Sequence, residues 1–220
     1  MKISFSILLF VMLSHAPIFT QAVDNSIINK PSTGWIYVSN GIKGFISGTG
    51  FVFIRPNTVV TCAHVVKGWS KIIYIQSGTK NEYLLDLVYI DTLLDIAILT
   101  SIDTISNKPY EFDATHFVAV GDTIMYIGYS KEKSTKSSPK MGYDLAVVQS
   151  AGKTMRYVPV NFFEFKGEGK PGYSGGPILD PKGNIVGIFQ GMWEECSLNS
   201  GDVWLKNRGF LLDGVLVHLK

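Results

Sequence analysis

The stretch Gly50-Phe51-Val52-Phe53-Ile54-Arg55-Pro56-Asn57-Thr58-Val59-Val60-Thr61-Cys62-Ala63-His64 decides the fold. Two runs rich in β-branched and aromatic residues, Gly50 to Ile54 and Thr58 to Thr61, flank Arg55-Pro56-Asn57. Such runs suit the pleated surface of a strand, and proline followed by asparagine suits a turn, so the segment reads as a β-hairpin. The same pattern extends in both directions. Trp35-Ile36-Tyr37-Val38 precedes the hairpin, and Ile72 to Gln76, Tyr83 to Tyr89 and Ile96 to Leu99 follow it, making a first group of six strands. Thr100 to Phe117, with Asn107-Lys108-Pro109, reads as a connector. A second group runs through Thr123 to Ile127, Leu145 to Val148, Arg156 to Val160, Pro177 to Leu179, Ile185 to Phe189 and Gly209 to Leu212. Evenly spaced short strands predict an all-β barrel or sandwich, and two groups of about six favour two six-stranded antiparallel β-barrels, about 33–105 and 118–212. Val215 to Leu219 reads as a short C-terminal helix.

The composition supports a folded chain. An apolar fraction of 46% in 220 residues supplies a core and excludes disorder over most of the length. Residues 1–22 read as a secretory signal: Lys2 is the basic start, Ile3 to Leu13 the apolar run, and Thr20-Gln21-Ala22 the small-residue cleavage site. The alternative, a retained anchor, meets a run shorter than the roughly 20 residues that span a bilayer. The mature domain is therefore expected at 23–220, secreted or periplasmic, with no membrane partner after cleavage. A net charge of +2 gives no reason to expect nucleic acid. Lys131 to Lys140 is basic but lacks interleaved aromatics, and reads as a solvated loop. The two cysteines, Cys62 and Cys196, leave a bridge and two unpaired thiols both open, Cys62 in the second case packing as a small hydrophobe. They do not amount to a zinc site, and no metal is expected.

Hydrolysis of an amide by serine needs a nucleophile, a base beside it, an acid to hold the base, and donors for the oxyanion. Lys170-Pro171-Gly172-Tyr173-Ser174-Gly175-Gly176-Pro177 offers the nucleophile, Ser174. Its glycines permit unusual backbone angles and close approach of a carbonyl, so that the N–H groups of Gly172 and Ser174 can converge on one oxygen. Taken alone, the segment's lesser reading is a plain glycine-rich turn. His64, at the end of an apolar strand, is the candidate base, although a lone histidine there is more often structural. Asp95, opening Asp95-Ile96-Ala97-Ile98-Leu99, is the candidate acid, and otherwise a strand-start turn. Each signal is moderate; the three in this order reinforce one another.

Together these segments resemble the chymotrypsin-like (trypsin-like) serine proteases, and among them the HtrA/Deg protease domain. Gly48-Thr49-Gly50-Phe51-Val52 and Val59 to Val66 resemble the run into the family's histidine, Asp95 to Leu99 its aspartate strand, and Pro171 to Pro177 its nucleophile loop. Gly183-Asn184-Ile185-Val186-Gly187-Ile188 resembles the strand beside the substrate, and Gly209-Phe210-Leu211-Leu212 the last strand. The match covers roughly residues 44–219. The resemblance implies a serine endopeptidase with its site in the cleft between the barrels. Ser174 would attack, His64 would shuttle the proton, Asp95 would hold the imidazole, and Gly172 and Ser174 would donate to the oxyanion. An acyl-enzyme would form on Ser174, with no cofactor, and the partner would be a protein or peptide substrate. HtrA proteins usually carry a PDZ domain after the protease; the chain ends at Lys220, and none is expected.

The departures from the family pattern are specific. Tyr173 stands where the family has Asp or Asn, an acid that in trypsin-like zymogens pairs with a freed amino terminus; tyrosine cannot form that pair, so activation of that type is not expected. Gln190 stands where a small hydroxyl residue supports the triad acid. With Gly191 and Met192 it is assigned to the substrate-binding strand, Met192 narrowing the pocket. Glu168, six residues before Ser174, falls near the pocket base, where a carboxylate would favour Lys or Arg, or else is an exposed loop acid between Gly167 and Gly169. His116 and His218 read as structural or exposed. The competing reading is a catalytically impaired, protease-fold binding module. An α/β-hydrolase is excluded because the histidine precedes the serine and alternating helices are lacking.

Overall fold

The computed structural model describes residues 31–79, 81–112, 118–130, 139–155, 158–196 and 203–210. Strands β1 (Thr33–Ser39), β2 (Gly44–Val52), β3 (Thr58–Thr61), β4 (Lys71–Gln76), β5 (Glu82–Asp91) and β6 (Ile96–Thr100) close one barrel in the order β1-β2-β3-β6-β5-β4. Strands β7 (Thr123–Ser130), β8 (Lys140–Met155), β9 (Val158–Lys166), β10 (Pro177–Leu179), β11 (Ile185–Cys196) and β12 (Val203–Phe210) close the second. Read round the ring, its order is β7-β8-β9-β12-β11-β10, the connectivity of the first barrel repeated. Every pairing within the barrels is antiparallel. Closure leaves neither sheet with an open edge. The one helix among the described residues is a single turn, α1 (Ala63–Val66).

Period-two patterning explains which faces turn inward. In β1, Ile36 and Val38 are fully buried between the half-buried Trp35 and Tyr37; in β4, Ile72, Tyr74 and Gln76 point in. Each fully buried Ile or Phe contributes about 1.5–3 kcal/mol. Gln76 is the polar exception, and its amide is satisfied: Nε2 donates to the carbonyls of Pro31 (2.9 Å) and Ile105 (2.8 Å), and Oε1 accepts from Thr79 Oγ1 at 3.0 Å. The first core does not stop at its barrel. It continues through Met125, Ile127, Leu179, Ile185 and Ile188 of the second, so the barrels share an apolar interface. The connector straps them together, Phe53 bridging to Tyr110 and Phe112 to Ile185. The second barrel has its own core of Ile124, Tyr126, Val148, Phe163, Phe165, Ile178, Val186 and Phe189, and Tyr173 belongs to it.

The expected strands are present, with five differences. The strand expected over Gly209 to Leu212 is the end of β12, which begins at Val203; Leu211 and Leu212 lie outside the described residues. His64 lies in α1 rather than at a strand end. The hairpin's first strand stops at Val52, and Ile54 turns to φ +61°. The strand expected over Arg156 to Val160 straddles the end of β8 at Met155 and the start of β9 at Val158; Arg156 and Tyr157 lie outside the described residues. β9 runs on to Lys166, past the expected bound at Val160, and carries Glu164 inside Phe162-Phe163-Glu164-Phe165. That carboxylate is buried, accepts from Ser150 Oγ at 3.0 Å and faces Arg208 at 3.6 Å, so it behaves as a core residue. Residues 1–22, His116, His218, Lys131 to Ser138 and Val215 to Leu219 also lie outside the described residues. No helix among those described is long and apolar enough to cross a membrane.

Candidate active site

The site is built from a one-turn helix and two loops between strands. His64 and Asp95 come from the first barrel. His64 Nδ1–H donates to Asp95 Oδ2 at 2.7 Å, and the His64 backbone N–H donates to Asp95 Oδ1 at 2.8 Å. Both carboxylate oxygens are thus engaged by one residue. The double contact fixes the imidazole and leaves Nε2 of the neutral ring as the acceptor. The loop before β6 must curl back for this: Asp95 sits at φ +56°, and its carbonyl accepts from Ala63 N at 3.1 Å. Aspartate is among the few residues that visit this region with little strain. The His64 side chain is half exposed and that of Asp95 is 14% exposed, so the pair opens to solvent on the imidazole side.

Ser174 is carried by two consecutive turns of the second barrel. In the first, Tyr173 N donates to Lys170 O at 3.0 Å; in the second, Gly176 N donates to Tyr173 O at 2.9 Å. The third position of each is glycine, Gly172 at φ +99° and Gly175 at φ +85°. That is the left-handed geometry a type II turn requires, with Pro171 suited to the second position of the first. Among the described residues, neither the Gly172 nor the Ser174 N–H donates to another group of the protein. The C-terminal end of the loop is anchored to β11, Gly175 N donating to Phe189 O and Phe189 N to Gly176 O, each at 2.8 Å.

Thr49 joins the two barrels at this point. Its hydroxyl donates to Gly172 O (2.7 Å) and accepts from Tyr129 N (2.8 Å), while its own N–H donates to Ser174 O (2.9 Å) and its carbonyl accepts from Thr61 Oγ1 (2.7 Å). Thr49 is fully buried, and its bonds to Thr61 and Tyr129 form away from water. A Cβ placed on the neighbouring Gly48 would lie 2.7 Å from both Ser174 O and Val65 Cγ2, which measures how closely the nucleophile loop abuts the residue after His64. No hydrogen bond joins Ser174 Oγ to the His64 ring in this structure. The histidine–aspartate link is closed; the serine link is not.

The other expected residues are placed as follows. Gly191 passes Ser174, a Cβ there reaching 3.8 Å from its Oγ. Gln190 is buried at a bulge in β11, and Met192 pairs with Asn207 of β12. Glu168 is exposed on the segment between β9 and the nucleophile loop. Cys62 is a free, buried thiol whose Sγ donates to Phe189 O at 3.4 Å. Burial first, then the Asp95 charge, pushes its pKa well above the ordinary thiol value. Cys62, His64 and Asp95 do bring one ligand atom each within 4.8 Å of one another. A thiol held protonated and a carboxylate already bonded twice make a poor donor set for a metal. Sequence reasoning missed Thr49, whose signal was a lone hydroxyl between Gly48 and Gly50. It also missed Gly128 and Gly142, glycines inside strands, which signal a close approach.

The model of the trypsin-like peptidase domain family matches residues 48–188, more than half of the chain. The chain belongs to the trypsin-like peptidase family. Its curated relatives include the serine protease Do-like HtrA of Bacillus subtilis (strain 168), 31% identical over 152 residues, covering 64% of this chain and 32% of that protein. A probable periplasmic serine endoprotease DegP-like of Pseudomonas putida is 30% identical over 148 residues, covering 64% and 28%. The chain thus spans about a third of the length of these relatives. Among solved structures, the active form of the Rv3671c protease from M. tuberculosis superposes with TM-score 0.69 at 22% identity, covering 90% of this chain and 84% of that one. The HtrA-type protease AlgW with a decapeptide gives TM-score 0.69 at 17% identity, covering 88% and 65%. These likenesses establish the chymotrypsin-like double barrel.

Proposed function

We propose that this family member is a serine endopeptidase that cleaves proteins or peptides through an acyl-enzyme on Ser174. The observation that carries this reading is the doubly bonded His64–Asp95 pair, set against a nucleophile loop whose two N–H groups have no acceptor within the protein. Ser174 Oγ attacks the scissile carbonyl as His64 Nε2 takes its proton; the imidazolium is stabilised by Asp95, which stays ionised. The carbonyl oxygen becomes an anion between the N–H groups of Gly172 and Ser174. His64 then protonates the leaving amine, and the C–N bond breaks. Water, activated by the same imidazole, attacks the ester and frees Ser174. No step calls for a metal or cofactor. A substrate main chain running along Gln190, Gly191 and Met192 would be held beside Ser174. The segment read as a signal at 1–22 and the periplasmic relatives support a site of action in the periplasm or outside the cell.

A fluorophosphonate probe tests the reading. Covalent labelling of the folded protein, lost in Ser174→Ala and in His64→Ala, is the expected result. Folded protein that takes no label contradicts it and supports the binding module instead.

A further inference from the structure

The residue before the nucleophile is the largest fully buried side chain of the nucleophile loop: Tyr173 is 1% exposed. Its ring crosses the sheet exactly where two strands lack side chains. Gly128 of β7 and Gly142 of β8 are register partners, facing each other across the ladder. A Cβ on Gly128 would come within 2.5 Å of Tyr173 Cδ1 and 2.7 Å of its Cα. A Cβ on Gly142 would overlap the Tyr173 hydroxyl and nothing else closely, the next atom being Cζ at 3.6 Å. The two glycines thus form a slot the length of a tyrosine, Gly128 at the root of the ring and Gly142 at its tip. Inside the barrel the ring meets Tyr126 and Phe189 edge-on, at centroid distances of 6.1 and 6.3 Å. Lys170, from the same loop, lies 5.8 Å over the ring and reaches Asp144 of β8 at 3.5 Å. Half-exposed, that ion pair adds little; ring packing dominates.

The geometry points to Tyr173 as a positioning residue: its ring, keyed into the Gly128/Gly142 slot, sets the two N–H groups on either side of it, those of Gly172 and Ser174, for the oxyanion. This rests on the peptidase reading. The residue's backbone links the two turns, since its N–H bonds Lys170 O and its carbonyl bonds Gly176 N. A ring that cannot seat therefore moves both turns. The key is apolar and uses core packing where an acid would need a cation.

The test exploits the different reach of the two glycines. Gly142→Ala meets only the hydroxyl, so Tyr173→Phe in the same chain makes room for it. Gly128→Ala meets the ring root and the backbone, and Tyr173→Phe gives it no relief. The readout is the second-order rate of fluorophosphonate labelling of Ser174, measured where circular dichroism reports folded protein. Gly142→Ala is expected to slow labelling at least tenfold, and the double variant Gly142→Ala/Tyr173→Phe to recover most of that loss. Gly128→Ala is expected to stay slow with or without Tyr173→Phe. Tyr173→Ala, which adds no atom and so guards against misfolding of the glycine variants, is expected to be slow at a temperature where it remains folded. Folded Gly142→Ala labelling at the wild-type rate, or a double variant as slow as the single, overturns the proposal, because a merely structural role would lower the melting temperature without this pattern. Wild-type protein that never labels overturns the peptidase reading, and the positioning role falls with it.

Discussion

The two barrels hold their parts of the site by different physics. The first fixes His64 with charge-assisted hydrogen bonds, both oxygens of Asp95 being spent on one residue. The second fixes the Ser174 loop with backbone turns and a buried aromatic ring. A carboxylate contact is local and directional, so removing it disturbs one side chain. A packed ring transmits strain to everything around it, because interiors are close-packed. Thr49 belongs to both, tying the Gly172 carbonyl to the first barrel through one hydroxyl. The comparison teaches that His64 is held by polar contacts, whereas the Gly172 and Ser174 N–H groups sit on a loop packed into the core of the second barrel.

Four perturbations break or sharpen the contrast. The largest effect is expected from Asp95→Asn, which retains the shape but loses the acceptor that sets the imidazole tautomer. Labelling and peptide cleavage should fall by about 10³–10⁴-fold, with the melting temperature little changed; a loss of activity matched by unfolding would contradict the local character of that contact. Next is Thr49→Val. It leaves the buried Tyr129 N–H without its partner, at about 1–3 kcal/mol, and removes the donor to the half-buried Gly172 carbonyl. Urea unfolding should report that loss, and labelling should slow as well, since the hydroxyl serves the nucleophile loop.

Alkaline pH comes third. Burial, with the Asp144 charge as the second cause, raises the Tyr173 phenol to about 12, and burial raises that of Tyr110 to about 12. In the unfolded chain these groups ionise at about 10. Between the two values the folded state retains protons that the unfolded state has lost, so stability is full below pH 10 and declines from pH 10 toward 12. Tyr110→Phe should flatten that decline in melting curves taken from pH 9 to 11.5; an unchanged slope would place the titration elsewhere. The smallest effect belongs to Ile54→Gly. A β-branched residue at φ +61° is strained, and glycine relieves it, offset by its greater freedom in the unfolded chain. A gain of at most about 1 kcal/mol is expected with labelling unaltered, because Ile54 lies in the hairpin turn away from the site.

The barrel that relies on polar contacts was the more legible in the sequence. Thr58 to Thr61 appears as a strand at its expected bounds, because a compact β-branched run sits between clear turns. His64 and Asp95 stood out because their residue types announce their chemistry, and the structure joins them. The role of Tyr173 was hidden. The sequence exposed it as a departure from the family, a tyrosine where an acid was due, but its slot is made by glycines 45 and 31 residues upstream that meet only when β7 pairs with β8. Gly128 and Gly142 carry no chemistry of their own. The same distance effect concealed Thr49, whose partners Gly172 and Tyr129 lie in the other barrel. Glu164 shows the same effect: a charge inside an aromatic run becomes a core residue only with Arg208 and Ser150 beside it.

The most direct measurement is a crystal structure of the protein after reaction with a peptidyl phosphonate. The account predicts a covalent bond from Ser174 Oγ to phosphorus, and one phosphonyl oxygen within about 3 Å of the Gly172 and Ser174 nitrogens. His64 should remain hydrogen-bonded to Asp95 behind it. A phosphonate attached to any other residue, or an oxygen turned away from both nitrogens, would contradict it.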